Sequence, residues 1–194
     1  MKPYFAGHPV AAALCAGTLV LWAGIEGRQA LTRRTDGTNM DRGSRLVLGL
    51  SWTAALVLTA LARAKVPAAA FPDDAVLFGI GLAVIWIGIG LRWWSFRSLG
   101  RYFTFEVVTS ADQPVITTGP YGLVRHPSYA GLLLIFVGGG LMEANWLSLA
   151  ALILLPFAGL AYRIRVEEAA LSAMLGEAYQ AYADNHKRIV PFVW

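Results

Sequence analysis

A polar segment rich in aromatic and hydrogen-bonding side chains runs directly into an apolar stretch. Residues 118–131 read Thr118-Gly119-Pro120-Tyr121-Gly122-Leu123-Val124-Arg125-His126-Pro127-Ser128-Tyr129-Ala130-Gly131, and the apolar run begins at Leu132. Charged and imidazole side chains are costly at a membrane boundary, so this cluster indicates a site and not a spacer. Pro127 disfavours helical geometry at His126, and Gly131 allows close approach of another backbone. An irregular polar segment that leads into a membrane helix can hold a small ligand.

The composition is that of an integral membrane protein. Of the 194 residues, 57% are hydrophobic and 14% are charged, and the mean hydropathy is +0.55, which is unlike a soluble domain. This length fits a single domain, residues 1–194. The net charge of +4 does not predict nucleic-acid binding, because the basic residues form no continuous stripe. The single Cys15 excludes intrachain disulfides and argues against a metal–thiolate cluster.

Hydropathy predicts five apolar segments, at residues 9–25, 46–63, 75–94, 129–142 and 146–162. The first three approach the roughly 20 residues with which a helix crosses a bilayer. The fourth is short and is followed at once by the polar turn Glu143-Ala144-Asn145, so the last two segments are predicted to form a helical hairpin. The predicted fold is therefore an all-α polytopic membrane protein with five transmembrane helices. Helical spacing continues beyond the fifth span and predicts a break near Gly176.

Basic residues are distributed unequally between the two sides of these segments. Arginines follow the first and third spans and recur in the C-terminal tail, whereas the alternate connections hold few. Lys and Arg accumulate in cytoplasmic loops. The expected topology therefore has the N-terminus outside and the C-terminus in the cytoplasm. Any pocket formed by the polar segments is then expected on the cytoplasmic side of the membrane.

Two blocks of residues resemble a known family. The first block, residues 115–131, is similar to the signature of the isoprenylcysteine carboxyl methyltransferases and their phospholipid N-methyltransferase relatives. The second is an Arg and a Glu-Glu pair at the end of the last span, then Gly-Glu-x-Tyr and a terminal Pro. Its members here are Arg163, Glu167-Glu168, Gly176-Glu177-Ala178-Tyr179, Tyr182 and Pro191. The resemblance covers residues 86–194, as a catalytic core, whereas residues 1–85 match only in hydropathy and are interpreted as N-terminal spans.

The resemblance implies an integral membrane methyltransferase that uses S-adenosylmethionine. Its cofactor contacts carry over onto Gln113, Val115, Ile116, Tyr121, His126, Pro127, Ser128, Tyr129 and Glu167. Its substrate-binding arginine corresponds to Arg163, and Arg125 is a second candidate for substrate binding or catalysis. Glu106 and Thr109 lie where the spacing does not align cleanly and are left unassigned.

The implied chemistry is consistent with these residue types. Methyl transfer from a sulfonium needs chiefly positioned reactants and exclusion of water. Glu167 would pair with the cofactor's ammonium group, and Arg163 could clamp a substrate carboxylate through two hydrogen bonds. A carboxylate acceptor needs no general base, whereas an amine, thiol or phenol would need one, with His126 and Glu168 as the nearest candidates. The expected partner is a lipophilic or amphipathic methyl acceptor that enters from the lipid bilayer, and O-methylation is favoured.

Two other function classes remain as alternatives. NADPH-dependent sterol and steroid reductases carry a related Arg-His-Pro-x-Tyr segment, but Glu typically follows its Gly, where this chain has Leu132 after Gly131. A non-catalytic scaffold or transporter would be expected to bury charged residues in mid-span, and the apolar segments are interpreted as free of them. No metal is expected, because His8 and His186 lack partners at ligand spacing.

Several residues also have a purely structural interpretation. Arg163 and Glu167 stand four apart and share one helix face, so they could form a surface ion pair worth only a few tenths of a kcal/mol. His126 could cap the preceding loop, and Arg125 could anchor at lipid headgroups. Glycines within the apolar spans are interpreted as sites of close helix packing and not as phosphate-binding loops; they are Gly79, Gly81, Gly88, Gly90, Gly138, Gly139 and Gly140.

Overall fold

The computed structural model describes residues 3–31, 38–72, 74–105, 107–109, 113–191 and 194. The helices in these ranges are α1 Tyr4–Gly7, α2 Pro9–Ala30, α3 Ser44–Lys65, α4 Asp74–Leu99, α5 Pro127–Met142, α6 Trp146–Leu175 and α7 Glu177–Asn185. Short 3-10 turns occupy Pro67–Ala69, Gly100–Tyr102 and Gly119–Gly122. Glu106, one of the unassigned candidates, lies outside the described residues.

Four helices, α2, α3, α4 and α6, are long and apolar enough to cross a membrane. The fourth predicted span, α5, has 16 residues and measures about 24 Å at 1.5 Å per residue, less than the ~30 Å of a bilayer core. The predicted multi-pass helical fold is thus confirmed, with four spans of full length and one shorter apolar helix. Exposed leucines and valines along α2 and α3 are suited to contact with lipid.

The predicted hairpin of the last two apolar segments is confirmed as α5 and α6. Pro127 opens α5 at its first position, where a missing N–H removes no helical hydrogen bond. Asn145 caps α6, because its side-chain oxygen accepts a hydrogen bond from the Ser148 backbone N–H at 3.0 Å. The long helix ends at Leu175, and Gly176 follows with a φ of 53°, a conformation that Gly adopts readily. The predicted break near Gly176 is therefore confirmed.

Helices α4 and α5 approach each other closely at two pairs of glycines. A Cβ atom at Gly88 would lie 2.6 Å from the carbonyl oxygen of Gly131, and the same conflict arises between Gly81 and Gly138. Close helix packing is thus confirmed for these positions, since larger residues would force the helices apart. The packing interpretation is wrong for three other glycines, which face open space: Gly79, Gly90 and Gly139.

The connections gather at two opposite ends of the helices. At one end Arg63 pairs with Glu143 at 2.9 Å, and the Phe71 N–H donates to the Ala144 carbonyl at 2.8 Å. The other end, called the polar end below, brings together residues 38–43, 100–105, 107–109, 113–126 and 176–191. There the backbone N–H of Arg125 donates to the carbonyl of Lys187 at 2.8 Å, so the C-terminal segment lies against the polar segment that precedes α5.

The polar end also contains the one two-stranded sheet among the described residues. Strand β1, Thr38–Asn39, pairs antiparallel with strand β2, Val108–Thr109. The adjacent Met40 N–H donates to the Val107 carbonyl at 2.8 Å. This short ribbon ties the α2–α3 connection to the α4–α5 connection, and hence brings the N-terminal part of the chain to the polar segment.

Candidate active site

A cavity of about 840 Å³, including its open mouth, lies at the polar end. Its walls come from the α4–α5 connection, the start of α5, the end of α6 and α7, and it is called the polar cavity. It is lined by ten of the predicted site residues: Gln113, Val115, Ile116, Tyr121, Arg125, His126, Ser128, Tyr129, Arg163 and Glu167. Pro127 is the exception, because it is fully buried at the start of α5 and supports the cavity without facing it.

Glu167 and Arg163 are linked through a tyrosine hydroxyl. The hydroxyl of Tyr129 donates to Glu167 Oε2 at 2.7 Å and accepts from Arg163 Nε at 2.8 Å. Arg163 is only 3% exposed. The interpretation of these two residues as a surface ion pair is therefore wrong: Arg163 is buried, Glu167 is half-buried, and the Tyr129 hydroxyl stands between them.

The guanidinium of Arg163 is already extensively hydrogen-bonded. Its Nη1 donates to Asp41 Oδ1 at 2.9 Å and to Ser44 Oγ at 3.0 Å. Its Nη2 donates to the Phe105 carbonyl at 2.6 Å, and its Nε is engaged by Tyr129. Four of the five N–H groups of an arginine thus have acceptors in the described part of the chain. A bidentate clamp on an incoming carboxylate would require one of these partners to leave.

Glu168, the neighbour of Glu167, faces a different set of partners. Its carboxylate contacts Arg125 and His126 at 3.2 Å each and Arg188 at 2.9 Å. Three cationic or potentially cationic groups therefore surround one carboxylate that does not line the polar cavity. His126 and Glu168, the two nearest candidates for a general base, are bound to each other. His126 shows no side-chain capping bond at the start of α5, and its imidazole contacts the Glu168 carboxylate instead.

Tyrosines form the wall of the polar cavity next to α7. Burial raises the pKa of Tyr121 above its ordinary range, and burial likewise raises the pKa of Tyr182 to about 12 although Arg125 opposes the shift. Both hydroxyls therefore stay protonated at neutral pH, and that of Tyr182 donates to the Tyr121 carbonyl at 2.7 Å. The hydroxyl of Tyr179 is buried in the same wall without a hydrogen-bond partner among the described residues.

A second cavity, of about 1200 Å³ including its open mouth, lies among α2, α3 and α4. Its lining is mostly apolar, and we call it the apolar cavity; the side chains that give it this character include Trp22, Leu48, Trp52 and Leu132. The two cavities share Phe103, Thr104, Tyr129 and Arg163. They therefore meet at one wall, and Tyr129 and Arg163 form its polar part.

A buried ion pair at the apolar cavity was missed from the sequence. Arg92 of α4 is 3% exposed and binds Glu26 of α2 through two nitrogens. It also donates to Ser128 Oγ at 2.8 Å. The statement that the apolar segments contain no buried charge is thus wrong at Arg92. A charged residue inside an apolar span was the signal that could have found it, whereas nothing in the local sequence pointed to Asp41.

Comparison with known proteins agrees with this geometry. The family model described as "Phospholipid methyltransferase" matches residues 76–178. A probable protein-S-isoprenylcysteine O-methyltransferase of Oryza sativa subsp. indica is 35% identical over 116 residues, which cover 59% of this chain and 61% of that protein. Protein-S-isoprenylcysteine O-methyltransferase B of Arabidopsis thaliana is 35% identical over 115 residues, 58% of each chain. The matched region thus spans about three fifths of these relatives.

A solved structure points to the same group of proteins. The eukaryotic intramembrane Ras methyltransferase ICMT (isoprenylcysteine carboxyl methyltransferase) superimposes with a TM-score of 0.63 at 27% sequence identity. The superposition covers 75% of this chain and 52% of that one. The resemblance found in the two sequence blocks is therefore confirmed. Because the family model matches more than half of its residues, the chain belongs to the phospholipid methyltransferase family.

Proposed function

We propose that this protein transfers a methyl group from S-adenosylmethionine to a lipophilic acceptor, and that the favoured reaction is O-methylation of an isoprenylcysteine-like carboxylate. The observation that carries the proposal is the wall shared by the two cavities at Tyr129 and Arg163. A charged cofactor and an apolar acceptor need separate compartments that meet where the methyl group passes. The names of the relatives, isoprenylcysteine O-methyltransferases, agree with this division.

The polar cavity fits the cofactor in chemistry. Glu167 offers a carboxylate for an ammonium group, while Val115, Ile116 and Leu171 provide an apolar surface for a purine. The unpartnered hydroxyl of Tyr179 is a polar group that a ligand can satisfy. When bound there, S-adenosylmethionine would supply a methyl group already activated as part of a sulfonium.

The apolar cavity fits the hydrophobic part of an acceptor, and Arg163 fits its head group. Trp22, Leu48 and Trp52 line a space that suits an isoprenoid or acyl chain. Arg163 would orient the acceptor's carboxylate through the one N–H that has no acceptor among the described residues. Alternatively, the carboxylate would replace one of the present hydrogen-bond partners of Arg163. Arg125 lines only the polar cavity and pairs with Glu168, so we assign it to the cofactor side.

The two candidate bases are bound to each other, which favours a carboxylate acceptor over an amine or thiol. A carboxylate is ionised at neutral pH and attacks without losing a proton, whereas an amine or thiol acceptor must give one up. His126 and Glu168 would be the groups to receive that proton, but each is engaged with the other and Glu168 also binds two arginines. This network supports O-methylation.

We infer that the chain crosses the membrane five times, with the N-terminus outside and the C-terminus and the polar cavity towards the cytoplasm. The alternation of the connections supports it: residues 38–43, 100–105, 107–109, 113–126 and 176–191 lie at the polar end, and the described residues of the α3–α4 and α5–α6 turns lie at the other. The polar end also carries more basic residues than the other end, as cytoplasmic loops do: Arg42, Arg101, Arg125, Lys187 and Arg188 against Arg63 and Lys65 among the described residues.

A binding and transfer experiment on the detergent-solubilised protein tests the proposal. S-adenosylhomocysteine is expected to raise the melting temperature, and NADPH is not. Methyl-labelled S-adenosylmethionine is then expected to label N-acetyl-S-farnesylcysteine, and not its methyl ester. Stabilisation by NADPH alone would instead indicate the reductase, and stabilisation by neither ligand together with no transfer would indicate a non-catalytic membrane protein.

A further inference from the structure

We propose that Asp41 is a positioning residue for the reaction, because it holds the Arg163 guanidinium in the orientation that the methyl acceptor meets. The inference rests on the proposed function and names a contributor to the same site from outside the matched family region, residues 76–178. The direct observation is the contact of Asp41 Oδ1 with Arg163 Nη1 at 2.9 Å, which joins the α2–α3 connection to α6.

Asp41 supports Arg163 from behind. Arg163 and Tyr129 line both cavities, whereas neither Asp41 nor its neighbour Ser44 lines either of them. The side chain of Ser44 is fully buried and also accepts from Arg163 at 3.0 Å. An acceptor in the apolar cavity would therefore meet the guanidinium on a different side from Asp41. This placement separates a positioning role from direct contact with substrate.

The position of Asp41 is itself fixed by several hydrogen bonds. Ser44 Oγ donates to Oδ1 at 2.8 Å, and the backbone N–H of Arg45 donates to Oδ2 at 3.1 Å. The backbone N–H of Asp41 donates to Asn39 Oδ1 at 2.9 Å. Burial by itself raises the pKa of Asp41, but the hydrogen bonds that its carboxylate accepts from Arg45, Ser44 and Arg163, together with the charge of Arg163, outweigh it and hold the pKa below its ordinary value. The residue is thus a fixed anion at neutral pH.

A fixed anion matters because arginine is a long and flexible side chain. A buried guanidinium without a paired charge is strongly unfavourable, and its many rotamers must be restricted before it can orient a reactant. Asp41 supplies the charge and, together with Ser44, the direction. Misplacement of a positioning group by about 1 Å can cost on the order of a hundredfold in rate. Loss of Asp41 is therefore expected to reduce transfer without removing any group that touches the acceptor.

The test compares Asp41→Asn with the wild type, using N-acetyl-S-farnesylcysteine as acceptor and S-adenosylhomocysteine as the cofactor probe. We expect kcat/KM for the acceptor to fall by about ten- to hundredfold, with the affinity for S-adenosylhomocysteine within about threefold of wild type. Ser44 bonds to both Asp41 and Arg163, so Ser44→Ala should also lower kcat/KM for the acceptor, but by less than Asp41→Asn. Asp184→Asn is the matched control, because Asp184 is an exposed aspartate of α7 that accepts a hydrogen bond from the Gln180 side chain and lines neither cavity.

A double-mutant cycle with Arg163→Ala tests whether Asp41 affects methyl transfer through Arg163. If Asp41 acts through Arg163, the substitution Asp41→Asn should change kcat/KM by less than about twofold once Arg163 has been removed. An additive effect would mean that Asp41 serves only the start of α3, and would overturn the inference. Unchanged kcat/KM in both Asp41→Asn and Ser44→Ala would overturn it as well.

The same measurements separate this inference from the proposed function. If the wild type binds S-adenosylhomocysteine and methylates the probe while Asp41→Asn is indistinguishable from it, the positioning role alone is wrong. If the wild type neither binds S-adenosylhomocysteine nor transfers a methyl group, the proposed function fails and the role of Asp41 fails with it.

Discussion

Substituting the adjacent residues Glu167 and Glu168 one at a time distinguishes a carboxylate that contacts the cofactor from one that only stabilises the structure. Glu167 lines the polar cavity and its carboxylate has the Tyr129 hydroxyl as its hydrogen-bond donor. Glu168 lies outside that lining and binds Arg125, His126 and Arg188. We expect Glu167→Gln to weaken binding of S-adenosylhomocysteine and Glu168→Gln to leave it within about threefold.

The magnitude follows from the contacts that each change removes. Gln keeps the size of Glu167 and can still accept a hydrogen bond from Tyr129, so the loss is confined to the attraction for the ligand's ammonium group. A hydrogen bond to a charged group contributes about 1.5–3 kcal/mol. Its loss corresponds to a dissociation constant that is roughly ten- to hundredfold larger. Glu168→Gln should instead lower the melting temperature, because it leaves three basic groups without their shared carboxylate.

Isothermal titration calorimetry in detergent measures both effects on matched protein preparations. The ratio of the two losses is informative, because both variants remove one negative charge from neighbouring positions on α6. A long-range electrostatic effect would weaken ligand binding about equally in the two variants. Equal losses, or a larger loss in Glu168→Gln, would refute the assignment of Glu167 to the cofactor.

Three further expectations concern the acceptor, the helix packing and the topology. Arg163→Ala should abolish most methyl transfer while the affinity for S-adenosylhomocysteine stays within about threefold of wild type. Arg163→Lys should restore little of the transfer, because lysine lacks the planar guanidinium. A fall in that affinity parallel to the fall in transfer would show that Arg163 does not act on the acceptor. Gly138→Ala should lower the melting temperature by several degrees, since overpacking costs about 1–3 kcal/mol, whereas its neighbour Gly139 faces open space and Gly139→Ala should be neutral or stabilising. A reporter fused after Trp194 should be active only in the cytoplasm, and activity only outside would reverse the proposed orientation.

The sequence was sufficient for the helices and for about half of the residues that line the polar cavity. Apolar runs of about membrane length have few alternatives to helices, so all five predicted segments fall within α2 to α6. The polar segment before α5 is contiguous in sequence, and its residues reach one cavity because His126, Ser128 and Tyr129 lie at the start of a single helix. Arg163 and Glu167 join them because a spacing of four places both on one helix face.

The partners of the buried arginines could not be predicted in the same way. Arg92 is bound by Glu26, 66 residues earlier, and Arg163 by Asp41, 122 residues earlier. Such pairs depend on how separate helices and connections pack, which local periodicity does not encode. Both acids also come from the N-terminal part of the chain, where resemblance extended only to hydropathy. The sequence therefore predicted the residues of the polar segment and of α6 that line the site, but not the residues that hold them in place.

The order of residues on α6 explains how one helix can serve the acceptor, the cofactor and the scaffold. Arg163 and Glu167 lie one turn apart on the same face, and Tyr129 links them across the wall between the cavities. Glu168 projects from α6 at roughly 100° from Glu167 and binds Arg125, His126 and Arg188 instead. A shift of this helix would therefore disturb the contact with the C-terminal segment as well as the reacting pair. The cluster around Glu168 thus fixes the rotation of α6, and with it the alignment of Arg163 and Glu167 at the shared wall.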